Sequence, residues 1–214
     1  MVAALAAFGL WFFIAMADEV LEGETGDFDH AVMLALRMPG DPSRPLGPAW
    51  LEEVARNITA LGSIPVLSLL VIVTVLFLVL ARRRWTALFI LLSTSAGMAT
   101  TFLLKYAFGR PRPDLFPHGD MVSTASFPSG HAMISALVYL TLAALVAGLT
   151  SSRTLKVYVM GVALILTVII GISRVYLGVH WPTDVLAGWA AGAVWALIWW
   201  ALAELVKFRR GGRA

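Results

Sequence analysis

Six long apolar runs constrain this chain more than any other feature; they lie at about 1–17, 63–81, 85–104, 131–150, 155–173 and 183–206. Each is close to the roughly 20 residues that a helix needs to cross a hydrocarbon core. The runs are continuous rather than alternating, so helices and not barrel strands are expected to satisfy the backbone in lipid. With 59% hydrophobic and only 14% charged residues, the chain is too apolar for an ordinary soluble domain. The expectation is a single all-α domain over 1–214, an integral membrane bundle of six transmembrane helices. Met1 to Ala17 ends in Ala15-Met16-Ala17, which looks like a signal-peptidase site, but it lacks a basic leader and is read as a retained helix.

The placement of charge sets an orientation. Arg82-Arg83-Arg84, then Arg153 and Lys156, then Lys207, Arg209, Arg210 and Arg213 fall in alternate connections. By the positive-inside rule these places and both termini are cytoplasmic. The stretches 18–62, 105–130 and 174–182 then face outward. Of the 13 acidic residues, only Glu204 lies on the cytoplasmic side. The stretch 18–62 is read as a solvated acidic loop broken by Pro39, Pro42, Pro45 and Pro48. Trp50, Leu51, Val54, Ile58 and Leu61 after it form the stripe of a short amphipathic helix, on the membrane surface or against the bundle. The basic residues are scattered in short clusters, so no nucleic-acid partner is expected. There is no cysteine, and thiolate chemistry is excluded.

The outward stretches hold polar residues that membrane segments otherwise avoid. Lys105, Arg110, Arg112 and Arg174 supply cations, His131 and His180 imidazoles, and Ser129 and Asp184 complete the set. Converging cations point to an anionic group, and phosphate fits best. Ser129-Gly130-His131 leads directly into an apolar run, so a helix N-terminus would offer free N–H groups there, and Gly130 would let the backbone approach closely. His180 and Asp184 are four apart, a spacing that puts them on one helical face. A carboxylate so placed holds one imidazole nitrogen and aims the other at phosphorus, which makes His180 the candidate nucleophile. His131 is the candidate acid for the leaving oxygen, and the reaction would pass through a phosphohistidine. The cations already balance the phosphate charge and no carboxylate cluster is present for magnesium, so neither a metal nor another cofactor is expected. His30 and His118 are read as surface-loop residues without a role. Trp181, Trp189, Trp195, Trp199 and Trp200 are read as belt and packing residues, and Gly188 with Gly192 as a close helix contact.

Lys105-(six residues)-Arg112-Pro113, Pro128-Ser129-Gly130-His131 and Ser173-Arg174-(five residues)-His180-(three residues)-Asp184 resemble, in order and spacing, the three-part signature of the type 2 phosphatidic acid phosphatase superfamily. The signature spans 105–184 with no departure at its positions. The resemblance implies a helical bundle with its active site at the outer membrane–water boundary. It implies His180 as nucleophile, Asp184 as its partner and His131 as general acid. Lys105, Arg112 and Arg174 would bind phosphate, with Ser129 and Gly130 adding contacts. Arg110, outside the signature, stays a candidate substrate contact. The implied activity is metal-independent hydrolysis of a lipid phosphate or diphosphate drawn from the surrounding membrane lipids. Undecaprenyl diphosphate is favoured, ahead of phosphatidylglycerol phosphate and phosphatidate. The competing classes are an anionic-lipid transporter or flippase, and a phosphotransferase that uses the same phosphohistidine. A carrier needs the cations but not a histidine with its own orienting carboxylate.

Overall fold

The computed structural model describes residues 2–115 and 124–211. His118 and Arg213 lie outside the described residues. In chain order the elements are α1 (Val2–Glu22), α2 (Gly26–Ala35), β1 (Arg37–Met38), β2 (Asp41–Pro45), α3 (Ala49–Ala60), α4 (Ile64–Leu80), α5 (Arg84–Phe108), α6 (Gly130–Ala147), α7 (Arg153–Tyr176) and α8 (Pro182–Gly211).

Among the described residues, five helices, α1, α5, α6, α7 and α8, are long and apolar enough to cross a membrane. The remaining expected span, at 63–81, is α4, whose 17 residues reach only about 26 Å at 1.5 Å per residue. It qualifies as a sixth crossing together with α3, from which it is bent by 42° at the 61–63 break. Ser63 and the Pro65 that follows it in the first turn explain the break, because proline is compatible with a helix start and not with its interior.

The centre of the bundle is α6, which packs against both α7 and α8, while α1 lies along α8. Glycine makes the α6–α8 contact close. A Cβ on Gly188 would sit 2.8 Å from the Ser129 carbonyl oxygen and 2.9 Å from the Ala132 Cβ. One on Gly192 would run into the Met133 carbonyl oxygen and the Ala136 Cβ. Trp189 and Trp195 lock neighbouring helices by donating their Nε1–H groups to the Thr167 and Ser93 carbonyls, both at 3.0 Å. A cluster of Leu67, Val71, Leu78, Ala87, Ile90, Ile134, Leu137 and Val138 fills the space between α4, α5 and α6. Leu69, Ile72, Val73, Leu76, Phe77 and Leu80 of α4 point outward, where the bilayer replaces water.

The stretch 18–62 corrects the sequence reading. The amphipathic helix is present as α3, but the acidic part is not a solvated loop. Helix α1 continues to Glu22, α2 follows it, and β1 and β2 form a short antiparallel hairpin turned at Gly40, which has φ +85°. Asp29 and Met33 of α2 are fully buried and Thr25 nearly so. Met33, with Val32 and Leu36 beside it, packs against Val175, Trp181 and Val185. The spacing of Val32, Met33 and Leu36 is a helical stripe, overlooked beside four nearby acids. Asp29 is tolerated inside because its partners lie on two distant segments, a pairing that no local pattern reveals.

The glycine contact is testable by thermal melting in detergent. Gly192→Val should destabilise the protein by about 1–3 kcal/mol through overpacking. Gly161→Ala, where a Cβ meets nothing within 4 Å, should melt like the parent. Equal melting of both variants would mean that α6 and α8 are not held this closely.

Candidate active site

The antiparallel run of the spans gathers one end of the bundle. The C-termini of α5 and α7 and the N-termini of α6 and α8 lie there, and the breaks after α1 and α3 join them. Every residue of the signature sits at that end.

Asp184, in the first turn of α8, is fully buried. Its Oδ2 accepts from the Trp181 backbone N–H at 2.9 Å and from His180 Nδ1 at 3.3 Å. It therefore caps its own helix and holds the imidazole together. On the other edge of the ring, Arg112 Nη1 lies 3.1 Å from His180 Nε2. A guanidinium only donates, so Nε2 must be the accepting nitrogen and Nδ1 must carry the proton. His180 is 1% exposed and lies in the turn between α7 and α8. Burial first, then Arg112, Arg174 and Lys105, push its pKa well below the ordinary imidazole value. The ring is thus neutral, with a lone pair on Nε2.

Three cations surround it. Lys105, in the last turn of α5, is 8% exposed and donates to the Ala125 carbonyl at 2.6 Å. Arg112 also donates to the Val179 carbonyl at 2.7 Å and to the Thr124 carbonyl at 2.9 Å. Arg174, 4% exposed in the last turn of α7, donates Nη1 to Thr59 Oγ1 of α3 at 3.1 Å. Neither Lys105 nor Arg174 snorkels to the surface. Ser129 is the N-cap of α6: its Oγ accepts from the Ala132 N–H at 3.5 Å, and its own N–H donates to the Asp184 carbonyl at 2.9 Å. Gly130 lies against Lys105, whose Cε would be 3.3 Å from an added Cβ. His131, one residue into α6, feels the charges of Arg174, Arg112 and Lys105 and lies near His180. The residues expected to share a site are therefore brought together.

Arg110 departs from expectation. It was a candidate substrate contact, but its guanidinium is already engaged. Nη1 donates to Asp184 Oδ1 at 2.7 Å and to Thr183 Oγ1 at 2.9 Å. Nη2 donates to Asp29 Oδ2 at 2.7 Å and to Thr25 Oγ1 at 3.0 Å. Thr25, Asp29, Thr59 and Gly62 were missed as site neighbours. Gly62 faces His131: a Cβ there would clash with Ile170 and lie 3.4 Å from His131 Cδ2. His30 is exposed and its ring lies 5.1 Å from that of Trp181. Among the described residues, no three His, Asp or Glu side chains gather as metal ligands.

A buried imidazole and buried cations at one end of an apolar helical bundle define an integral membrane protein with a cationic pocket. Comparison with known proteins gives the particular family. Residues 85–207 match the PAP2 superfamily, and the chain belongs to it. It is an enzyme, a phosphatase of that superfamily. Phosphatidylglycerophosphatase B of Bacillus subtilis is 35% identical over 182 residues, covering 85% of this chain and 86% of its own. An undecaprenyl-diphosphatase of Sulfolobus acidocaldarius is 33% identical, covering 56% of this chain and 57% of its own. The crystal structure of a transmembrane PAP2-type phosphatidylglycerolphosphate phosphatase from Bacillus subtilis superposes with a TM-score of 0.85 at 31% identity, covering 94% of this chain and 96% of that one.

The tautomer can be read directly. Nitrogen-15 spectra of imidazole-labelled protein should show His180 neutral at pH 6.5, protonated on Nδ1 and bare on Nε2. A doubly protonated ring at that pH, or the proton on Nε2, would contradict this geometry.

Proposed function

We propose that this protein hydrolyses a membrane lipid phosphate or diphosphate through a phosphohistidine on His180. The observation that carries the reading is the buried, neutral His180, with Nδ1 on Asp184 and its Nε2 lone pair among Lys105, Arg112 and Arg174. When a phosphoryl group enters, its oxygens take the donors of these cations, of the α6 N-terminus and of Ser129 and Gly130. Arg112 exchanges His180 Nε2 for a phosphate oxygen, which frees the lone pair. Nε2 then attacks the terminal phosphorus in line, and the bond from that phosphorus to the leaving oxygen (the ester oxygen of a monophosphate, the bridging oxygen of a diphosphate) breaks. His131, protonated when the phosphate anion lies beside it, gives that proton to the leaving oxygen. In the second half, neutral His131 takes a proton from water, the hydroxide oxygen bonds to phosphorus, and the bond to Nε2 breaks. Inorganic phosphate leaves and the imidazole returns to its starting state. Asp184 supports the positive imidazole in between.

The whole chain acts as one domain in this reading, with 105–184 supplying the chemistry and 18–62 completing its walls. Arg82 to Arg84 and Arg153 lie at the opposite ends of α5 and α7 from the site, so the positive-inside rule favours an extracytoplasmic site and cytoplasmic termini, in a bacterial inner membrane. The signature groups read phosphate rather than lipid tail. The likeness to a phosphatidylglycerophosphatase over most of both chains brings phosphatidylglycerol phosphate level with undecaprenyl diphosphate as the favoured substrate.

The test is phosphate release by purified protein offered undecaprenyl diphosphate, phosphatidylglycerol phosphate or phosphatidate, each with EDTA. Release should survive the chelator and vanish in His180→Ala. His131→Ala should lose about 10²- to 10⁴-fold in kcat, the usual worth of a placed acid–base group. Release undiminished in His180→Ala, or abolished by EDTA, would sink the mechanism. The fastest of the three lipids names the substrate.

A further inference from the structure

Behind the His180–Asp184 pair lies a second buried ion pair that the signature does not contain. Asp29 comes from α2, 81 residues before Arg110 and 154 before Thr183. Its Oδ2 accepts from Arg110 Nη2 and from Thr183 Oγ1, both at 2.7 Å, and its Oδ1 accepts from the Thr183 backbone N–H at 3.0 Å. That N–H belongs to the first turn of α8, one of the groups a helix start leaves without an intrahelical partner. Asp29 thus caps the catalytic helix from outside it. Through Arg110 it also reaches Asp184, since the two guanidinium nitrogens divide between the two carboxylates. Trp181 covers the guanidinium, its ring centroid 5.6 Å from Arg110 Cζ.

We propose that Asp29 and Arg110 are positioning residues for the phosphatase reaction, acting on His180 through Asp184. This rests on the proposed role of His180 as nucleophile. The argument is one of charge sharing. A guanidinium with a single carboxylate partner would place its whole charge on Asp184. The carboxylate would then be a poorer acceptor for His180 Nδ1–H, and Nε2 a poorer nucleophile. Asp29 takes half of the fork and half of the charge. It leaves Asp184 able to serve the imidazole while Oδ1 keeps a 2.7 Å bond that fixes its plane. The same pairing keeps Arg110 from joining Lys105, Arg112 and Arg174 as a further phosphate ligand, so its loss should be felt in kcat and not in substrate affinity.

Asp29→Asn keeps the shape and the bond from the Thr183 N–H to the amide oxygen, but it removes the charge and sets an NH2 donor where Oδ2 accepts from Arg110 Nη2. In the full-length protein in detergent, kcat should fall roughly 10- to 100-fold, the scale of a misplaced catalytic group, with KM within about twofold of the parent. The proton resonance of His180 Nδ1–H should move upfield as its hydrogen bond weakens. Arg110→Lys, which keeps the charge and loses the fork, should show the same pattern. His180→Ala is run beside them. Parental kcat in Asp29→Asn, with His180→Ala inactive, overturns the positioning role alone. Reduced kcat with an unmoved Nδ1–H resonance also overturns it, since the loss would then come from the scaffold. Activity retained by His180→Ala removes the nucleophile and this inference together.

Discussion

The Asp184 carboxylate accepts from His180, from the Trp181 backbone and from Arg110, and the rest of the site depends on these three bonds. A carboxylate with no exposed surface survives only if its lone pairs are filled. Here they are filled by an imidazole ring, a helix cap and a cation. Removing one partner of such a buried pair typically costs about 3–5 kcal/mol, because the other is left buried and uncompensated. The site is therefore part of what holds this end of the bundle together.

Close packing brings two histidines of this end into register. His131 starts α6 and His180 precedes α8, and these two helices meet where Gly188 and Gly192 leave room for backbone. The Ser129 N–H reaches the Asp184 carbonyl across that contact. Larger residues on α8 would push the α6 N-terminus, with its free donors, away from the imidazole. The small-residue motif is thus a packing device whose effect is read at the active end.

Much of this was legible in the sequence. The apolar runs gave the spans to within a few residues at most ends. The signature residues stand together because their spacing reflects short connections between antiparallel helices. What escaped detection was long-range. Asp29 looked like one more acid in an acidic loop, since its meaning depends on Arg110 and Thr183 in distant segments. Nothing local marks Thr59, off the apolar stripe of its helix, as the partner of Arg174. Arg110, two residues before Arg112, looked like a candidate substrate contact, and only three dimensions show its fork already closed on two carboxylates.

The family match begins at residue 85, yet Thr25, Asp29, Thr59 and Gly62 all precede it. The recurring segment carries the reactive groups, while the earlier segment carries their counter-charge and their walls. A fragment trimmed to 85–207 would keep every signature residue and still present Arg110 with half its partners and Arg174 without its hydroxyl. The extent of the family model and the border of this group of contacts are different lines in this chain, and the likeness to phosphatidylglycerophosphatase B, 182 residues long, reaches back before residue 85. Grafting the signature onto another bundle would have to carry over the N-terminal helices as well.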